Sequence, residues 1–302
     1  LVVTGTFNVG TSGTSQLRGE AITPDGTKLL IADAGLNKVY VVNTATKATT
    51  ATITVGTQPQ YIAVNAVGTV AYVSNNVSNT VSVIDLTSNT VTATVALTNT
   101  LPQGLAISPD GTKVYVTAGS SNSMSVIDTA TNAVTSIAIT NATRDVVFRP
   151  DGTAYVTSGG TGKVAVINSS GTVTSNLSLG STANNTVITP DGKKMYITST
   201  ASVLVFDTDP TSPTYNTVIR TITDAAALPS PLGIGVSADG TQVYVSNTGV
   251  TTMAVIGTAT NTVTSTVTIG GGNGYDVAVS PSGSIYVTPN SGISVNIVGV
   301  SQ

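Results

Sequence analysis

The sequence predicts an all-β fold: a single seven-bladed β-propeller over residues 1–302, built of four-stranded antiparallel blades and closed by its own N-terminal strand. Three observations carry that prediction. One turn recurs at a near-constant interval, period-two alternation fills the stretches between turns, and the two chain ends complete each other. The turn has the form x-Pro-Asp-Gly or a decayed version of it. Its seven copies end at Gly26, Gly68, Gly111, Gly152, Gly192, Gly240 and Gly283, at spacings of 42, 43, 41, 40, 48 and 43 residues. A unit of this length with four short strands is the signature of a propeller blade.

The third unit shows the elements in order. An apolar run, Leu105-Ala106-Ile107, enters the turn, and Val114-Tyr115-Val116-Thr117 leaves it. A polar loop leads to the alternating stretch Met124-Ser125-Val126-Ile127-Asp128, and a tight Thr-Ala-Thr-Asn link leads to a Thr-rich fourth strand, Ala133 to Thr140. β-branched residues at period two, punctuated by Gly, Asn, Asp and Pro, specify strands rather than helices. The Pro-Asp-Gly copies are turn chemistry, with Pro presetting φ and Gly accepting φ > 0. Asp85, Asp128 and Asp207 end third strands, where an Asx-turn tightens the hairpin. The repeat tyrosines Tyr72, Tyr115, Tyr155, Tyr196, Tyr244 and Tyr286 hold one fixed place in the second strand, which assigns them to packing between blades.

The last unit ends after its third strand, Ile293 to Val300, and lacks a fourth. The unassigned start of the chain, Val2 to Gly10, matches fourth strands elsewhere, such as Val263 to Gly270. Residues 1–10 are therefore expected to supply the outer strand of the closing blade, 271–302.

These residues carry a resemblance. Tyr72-Val73-Ser74-Asn75, Tyr115-Val116-Thr117, Tyr244-Val245-Ser246-Asn247 and the Val-Ile-Asp-Thr-Ala-Thr-Asn stretch at 126–132 are similar to the YVTN β-propeller repeat family. Blade 1 departs from the pattern with Leu30-Ile31-Ala32-Asp33, and blade 5 carries an insertion, Asp207 to Asn216. The resemblance implies a surface-layer, secreted or periplasmic propeller, and it also permits a lactonase or lyase acting at the channel mouth.

Composition narrows the chemistry. The chain has no Cys, His or Trp, which excludes zinc fingers, iron–sulfur clusters, His-ligated haem, a Cys nucleophile and a Ser-His-Asp triad. No cofactor and no metal site is expected. Asp207-Thr208-Asp209 is the one D-x-D, and it lacks the further ligands and glycine of a calcium loop. A net charge of -3 without a basic run excludes nucleic-acid partners, and no apolar stretch is long enough for a transmembrane helix.

Differences between the copies point to a candidate site. The residue eight before each turn glycine runs Arg18, Gln60, Gln103, Arg144, Asn184, Leu232 and Tyr275; the residue seven before runs Gly19, Tyr61, Gly104, Asp145, Asn185, Gly233 and Asp276. First strands line the channel of a propeller, so both rows are expected to ring one mouth. Arg18, Glu20, Tyr61, Arg144, Asp145, Tyr275 and Asp276 are the candidate ligand-binding residues, with Tyr61 or Tyr275 placed to stack on a sugar. An enzyme here would use Asp145, Asp276 or Glu20 as base and Arg18 or Arg144 as electrophile. No motif enforces such a geometry, and no catalytic residue is assigned.

The surface is the remaining peculiarity. Charged residues are 8% of the chain, against about 25% in an ordinary soluble domain, while Thr numbers 55 and Ser 31. Exposed outer strands are usually blunted by charge or Pro. Uncharged Thr-rich edges therefore point to self-assembly, or to protein or cell-surface glycan partners, for a structural or binding propeller outside the cytoplasm.

Overall fold

A computed structural model describes residues 1–270 and 273–300 and places them in seven four-stranded antiparallel sheets with no helix. The inner strands are Leu17–Ile22, Pro59–Val64, Pro102–Ile107, Asp145–Phe148, Thr186–Ile188, Pro231–Val236 and Gly274–Val279. Each inner strand touches the next in this order, and the last touches the first, so the sheets form a closed ring. The seventh sheet is ordered Gly274–Val279, Ile285–Pro289, Ser294–Gly299, Val2–Asn8. Val2 lies opposite Gly299 and Asn8 opposite Ser294, which is the closure expected from the chain ends. Residues 271–272 and 301–302, which the sequence assigns to that blade, lie outside the described residues.

The turns hold the inner and second strands in register. All seven turn glycines have φ between +70° and +88°, a region that costs other residues steric strain. The turn Asp closes the loop through its side chain. Asp25 accepts the Thr23 hydroxyl at 2.5 Å and the Thr27 amide at 3.0 Å, which lowers its carboxyl to about 2. Asp85 and Asp128 accept the amides two and three residues on, as Asx-turns do. In the blade-5 insertion, Asp207 accepts the Ser212 and Thr214 hydroxyls and Asp209 pairs with Lys193. Asp207 is thereby engaged within its own loop, and Asp209 ties that loop to the turn of blade 5.

The core is divided among the seven blade interfaces, with one hydrophobic cluster at each. All six repeat tyrosines are buried in these clusters. Tyr196 of blade 5 packs against Val243 and Val245 of blade 6, and Tyr155 meets Phe206 edge-to-face with ring centroids 6.0 Å apart. Leu30 fills the corresponding place in blade 1, so the aliphatic departure in the sequence keeps the same packing role.

The outer strands answer the edge problem differently from the expectation. In six blades the register of the outer strand shifts by one residue, leaving Thr4, Thr50, Thr92, Thr174, Ile219 and Thr264 as bulges. The five threonines among them turn their hydroxyls inward to third-strand carbonyls, at 3.1–3.3 Å. A bulge bends an edge strand and breaks its row of free backbone groups. Backbone geometry, not charge, thus blunts most of the ring's periphery.

Candidate functional site in the central channel

The channel is shaped by a bulge of its own. In blades 1, 2, 3 and 6 the residues eight and seven before the turn glycine stand together opposite one residue of the second strand. In blade 7 Tyr275 is the extra residue. A bulge re-aims side chains, and here it does so in successive blades at the wall of the channel. Glycine then sets the spacing. A Cβ on Gly104 would stand 2.9 Å from Asp145 Cα, one on Gly19 2.8 Å from Tyr61 Cα, and one on Gly233 2.6 Å from Asp276 Cα. Blades 1, 3 and 6 give up their side chains so that the following blade can approach.

The result is a tier of four side chains from seven blades: Tyr61, Asp145, Asn185 and Asp276. Tyr61 of blade 2 donates its hydroxyl to Asn185 Oδ1 of blade 5 at 2.9 Å, so one ring spans the channel. Asp145 Oδ2 accepts the Thr186 amide at 2.8 Å and the Thr186 hydroxyl at 3.0 Å, tying blade 4 to blade 5. Asp276 Oδ2 accepts the Glu20 amide at 3.1 Å, and Glu20 Oε1 accepts the Ala278 amide at 3.0 Å, so blades 7 and 1 are tied in both directions. Glu20 Oε2 is buried without a partner among the described residues.

Burial governs the titration of these acids. It pushes Glu20 well above the usual carboxylate range, and the neighbouring charge of Asp276 adds to the effect. Burial raises Asp276 to about 6 and raises Asp145 against the opposing Thr186 and Val146 amides. The Tyr61 phenol is likewise pushed well up, chiefly by burial.

The structure separates the seven candidate residues into two groups. Glu20, Tyr61, Asp145 and Asp276 line a chamber of about 480 Å³ that runs from the tier toward Pro109 on the turn side. Below the acids its wall is aliphatic and aromatic, including Leu105, Ile107, Val146, Phe148 and Ile234. Arg18, Arg144 and Tyr275 do not line this chamber; they belong to the opposite mouth. The Arg18 guanidinium lies 4.6 Å from the Tyr275 ring centroid, and its nitrogens reach Asn290 and Gln16. Arg144 donates to Gln103 Oε1 at 2.9 Å. The two rows expected at one mouth are therefore two levels, because the strand carries them inward one after the other. Tyr61 already spends its hydroxyl on Asn185, and Tyr275 has one face covered by Arg18.

Two contributors are missing from the candidate set. Asn185 completes the tier, and its place in the variable row was visible. The other is the Ser/Thr of the Tyr-Val-Thr motif. The hydroxyls of Ser74, Thr117, Thr198 and Thr288 donate to the carbonyls of Gln103, Arg144, Leu232 and Arg18 in the next blade, at 2.7–3.2 Å. In sequence these residues read only as strand formers.

Ring, blade count and central chamber together define a seven-bladed β-propeller. The lactonase seven-bladed β-propeller family model matches residues 20–181, just over half of the chain, and the chain belongs to that family. No curated protein matches it. Among solved structures it is similar to hydrazine synthase of Kuenenia stuttgartiensis, at 22% identity and a TM-score of 0.82, covering 100% of this chain and 99% of that chain. It is also similar to the Cps50 (Swd1) β-propeller domain of Myceliophteria thermophila, at 11% identity and a TM-score of 0.83, covering 99% of each. At such identities the likeness is one of fold.

Proposed function

We propose that the protein is a non-catalytic binding propeller of the YVTN type, displayed outside the cytoplasm. In this reading its faces and hydroxyl-rich rim engage protein or glycan partners, or further copies of itself. The observation that carries the reading is the employment of the channel groups. Asp145, Asp276, Tyr61, Arg144 and the Oε1 of Glu20 each hold another part of the protein. Such groups serve the ring before they serve any substrate. Charge-poor, Thr-rich outer strands leave a periphery suited to weak, repeated polar contacts. A glycan array read together with light scattering tests the proposal. Retention on defined glycans, or a mass above the monomer, is expected, and Asp276→Asn should leave it unchanged. A strictly monomeric protein retained on no glycan would overturn the proposal.

One observation favours a second reading, a hydrolase of small lactones, consistent with the family's description. Glu20 and Asp276 adjoin, burial raises both carboxyls, and the charge of Asp276 adds to the rise at Glu20. Paired carboxyls whose surroundings differ suit an acid and a base. Asp276 would take a proton from water as its oxygen attacks the lactone carbonyl carbon, while Glu20 protonates the departing ring oxygen. Hydrolysis of simple lactones by the wild-type protein, lost in Asp276→Asn, would support this reading over the first.

A further inference from the structure

We propose that the outer strand of blade 3, Val134–Ala138, pairs with the same strand of a second copy of the chain, antiparallel and edge to edge about a twofold axis through Ser136. The inference rests on the self-association part of the reading above and names the surface that carries it. Bulges interrupt the outer strands of the other six blades. This strand has none: Ala138 to Val134 stand one for one opposite Ser123 to Ile127. A regular edge with free backbone groups is a template for a further strand.

The ladder shows which groups are free. Ala133 accepts the Asp128 amide and Ile139 donates to the Asn122 carbonyl, each at 2.9 Å. Between them Thr135 lies opposite Val126 and Ile137 opposite Met124. Backbone groups alternate sides along an antiparallel strand, so Val134, Ser136 and Ala138 turn their N–H and C=O groups away from the ring. That set is centred on Ser136 and is therefore its own complement. A twofold axis there sets the two copies' Ser136 residues against each other and Val134 of each against Ala138 of the other, so that every free N–H meets a free C=O.

The side chains favour a second copy over a charged partner. No charged residue occurs between Asp128 and Arg144, so two copies bring no like charges together and a charged peptide finds nothing to pair with. Ser136 and Ala138 are exposed. They are also small, and leave room for the facing strand. One regular edge per chain and a twofold contact close the assembly at the dimer.

Sedimentation velocity of the full chain tests the proposal, at concentrations up to about 1 mM because so short an edge belongs to the weak, transient class of interface. A reversible monomer–dimer equilibrium is expected. Ser136→Pro removes an N–H that faces outward, which costs the blade no ladder bond, and should weaken the dimer about tenfold or more. The chain has no cysteine, so register can be read by cross-linking. Opposed residues of a hydrogen-bonded pair stand about 5.5 Å apart at Cα, within disulfide reach. Mild oxidation of Ser136→Cys should therefore give a covalent dimer, whereas Thr94→Cys, on the bulged outer strand of blade 2, should not. A monomer at every concentration would overturn the inference, even where retention on glycans upholds the wider reading. A dimer as tight in Ser136→Pro as in the wild type, or cross-linking no faster through Ser136→Cys than through Thr94→Cys, would also overturn it and would leave self-association to another surface. Should Ser136→Pro not fold, the two cysteine variants decide.

Discussion

At the scale of single residues, Gly104 and Asp145 show how closely the blades are fitted. A methyl group at Gly104 would run into the Asp145 carboxylate and meet its Cα at 2.9 Å. The obstacle is backbone, so no rotamer change relieves it. Gly104→Ala is expected to destabilise by about 2 kcal/mol or more, read as a lower denaturation midpoint with an unchanged slope. The buried acids give a second prediction. Asp276 ionises at about 6 in the fold, above its ordinary 3.8, so the native state keeps a proton that the unfolded chain releases. Its contribution is full below about pH 4 and is lost as the pH rises through about 6, an effect of up to about 3 kcal/mol. Glu20 and Asp145 shift in the same direction, whereas Asp25, lowered to about 2, is stabilising above 3.8 and loses that only in stronger acid. Melting temperatures measured across pH should therefore be higher near pH 5 than near pH 7.5, and Asp276→Asn should flatten that slope.

At the scale of strands, the outer strand Val2–Asn8 joins the chain's beginning to its end. It pairs along Ser294–Gly299, and Phe7 and Val9 pack with Val295 and Ile297 in the cluster between blades 7 and 1. Deleting residues 1–10 removes these contacts and opens the ring, and a fall in melting temperature on the order of 10 °C is expected by calorimetry. An unchanged melting curve would contradict closure by this strand. The strand plan was legible in the sequence because turn residues and period two act locally: seven x-Pro-Asp-Gly turns and the unpaired Val2–Gly10 segment were enough. The edge bulges at Thr4, Thr50, Thr92, Thr174 and Thr264 were not legible. The inward hydroxyl does not mark them, since Ile219 bulges without one and Thr135 makes the same bond in an unbulged strand, and register between strands has no mark in a run of alternating threonines. The site was half legible for the same reason. Spacing brought Tyr61, Asp145 and Asp276 to the channel, but depth along a bulged strand decided that Arg18, Arg144 and Tyr275 face the other mouth.

At the scale of the whole molecule, seven blades with one core each must be held as a ring, and the channel groups do much of that holding. Hydroxyls of the Tyr-Val-Thr motif bind carbonyls of the next blade, Asp145 binds blade 5, Asp276 and Glu20 join blades 7 and 1, and Tyr61 reaches across to Asn185. Polar groups that would suggest catalysis in another setting are, in this account, the ring's inner fastening. The comparison of Asp145→Ala with Asp145→Asn by thermal unfolding tests this most directly. Alanine strands the Thr186 and Val146 amides without an acceptor, so a loss of about 2 kcal/mol, on the order of 5 °C, is predicted, with asparagine retaining most of the wild-type stability. Melting temperatures unchanged in both variants would contradict the account.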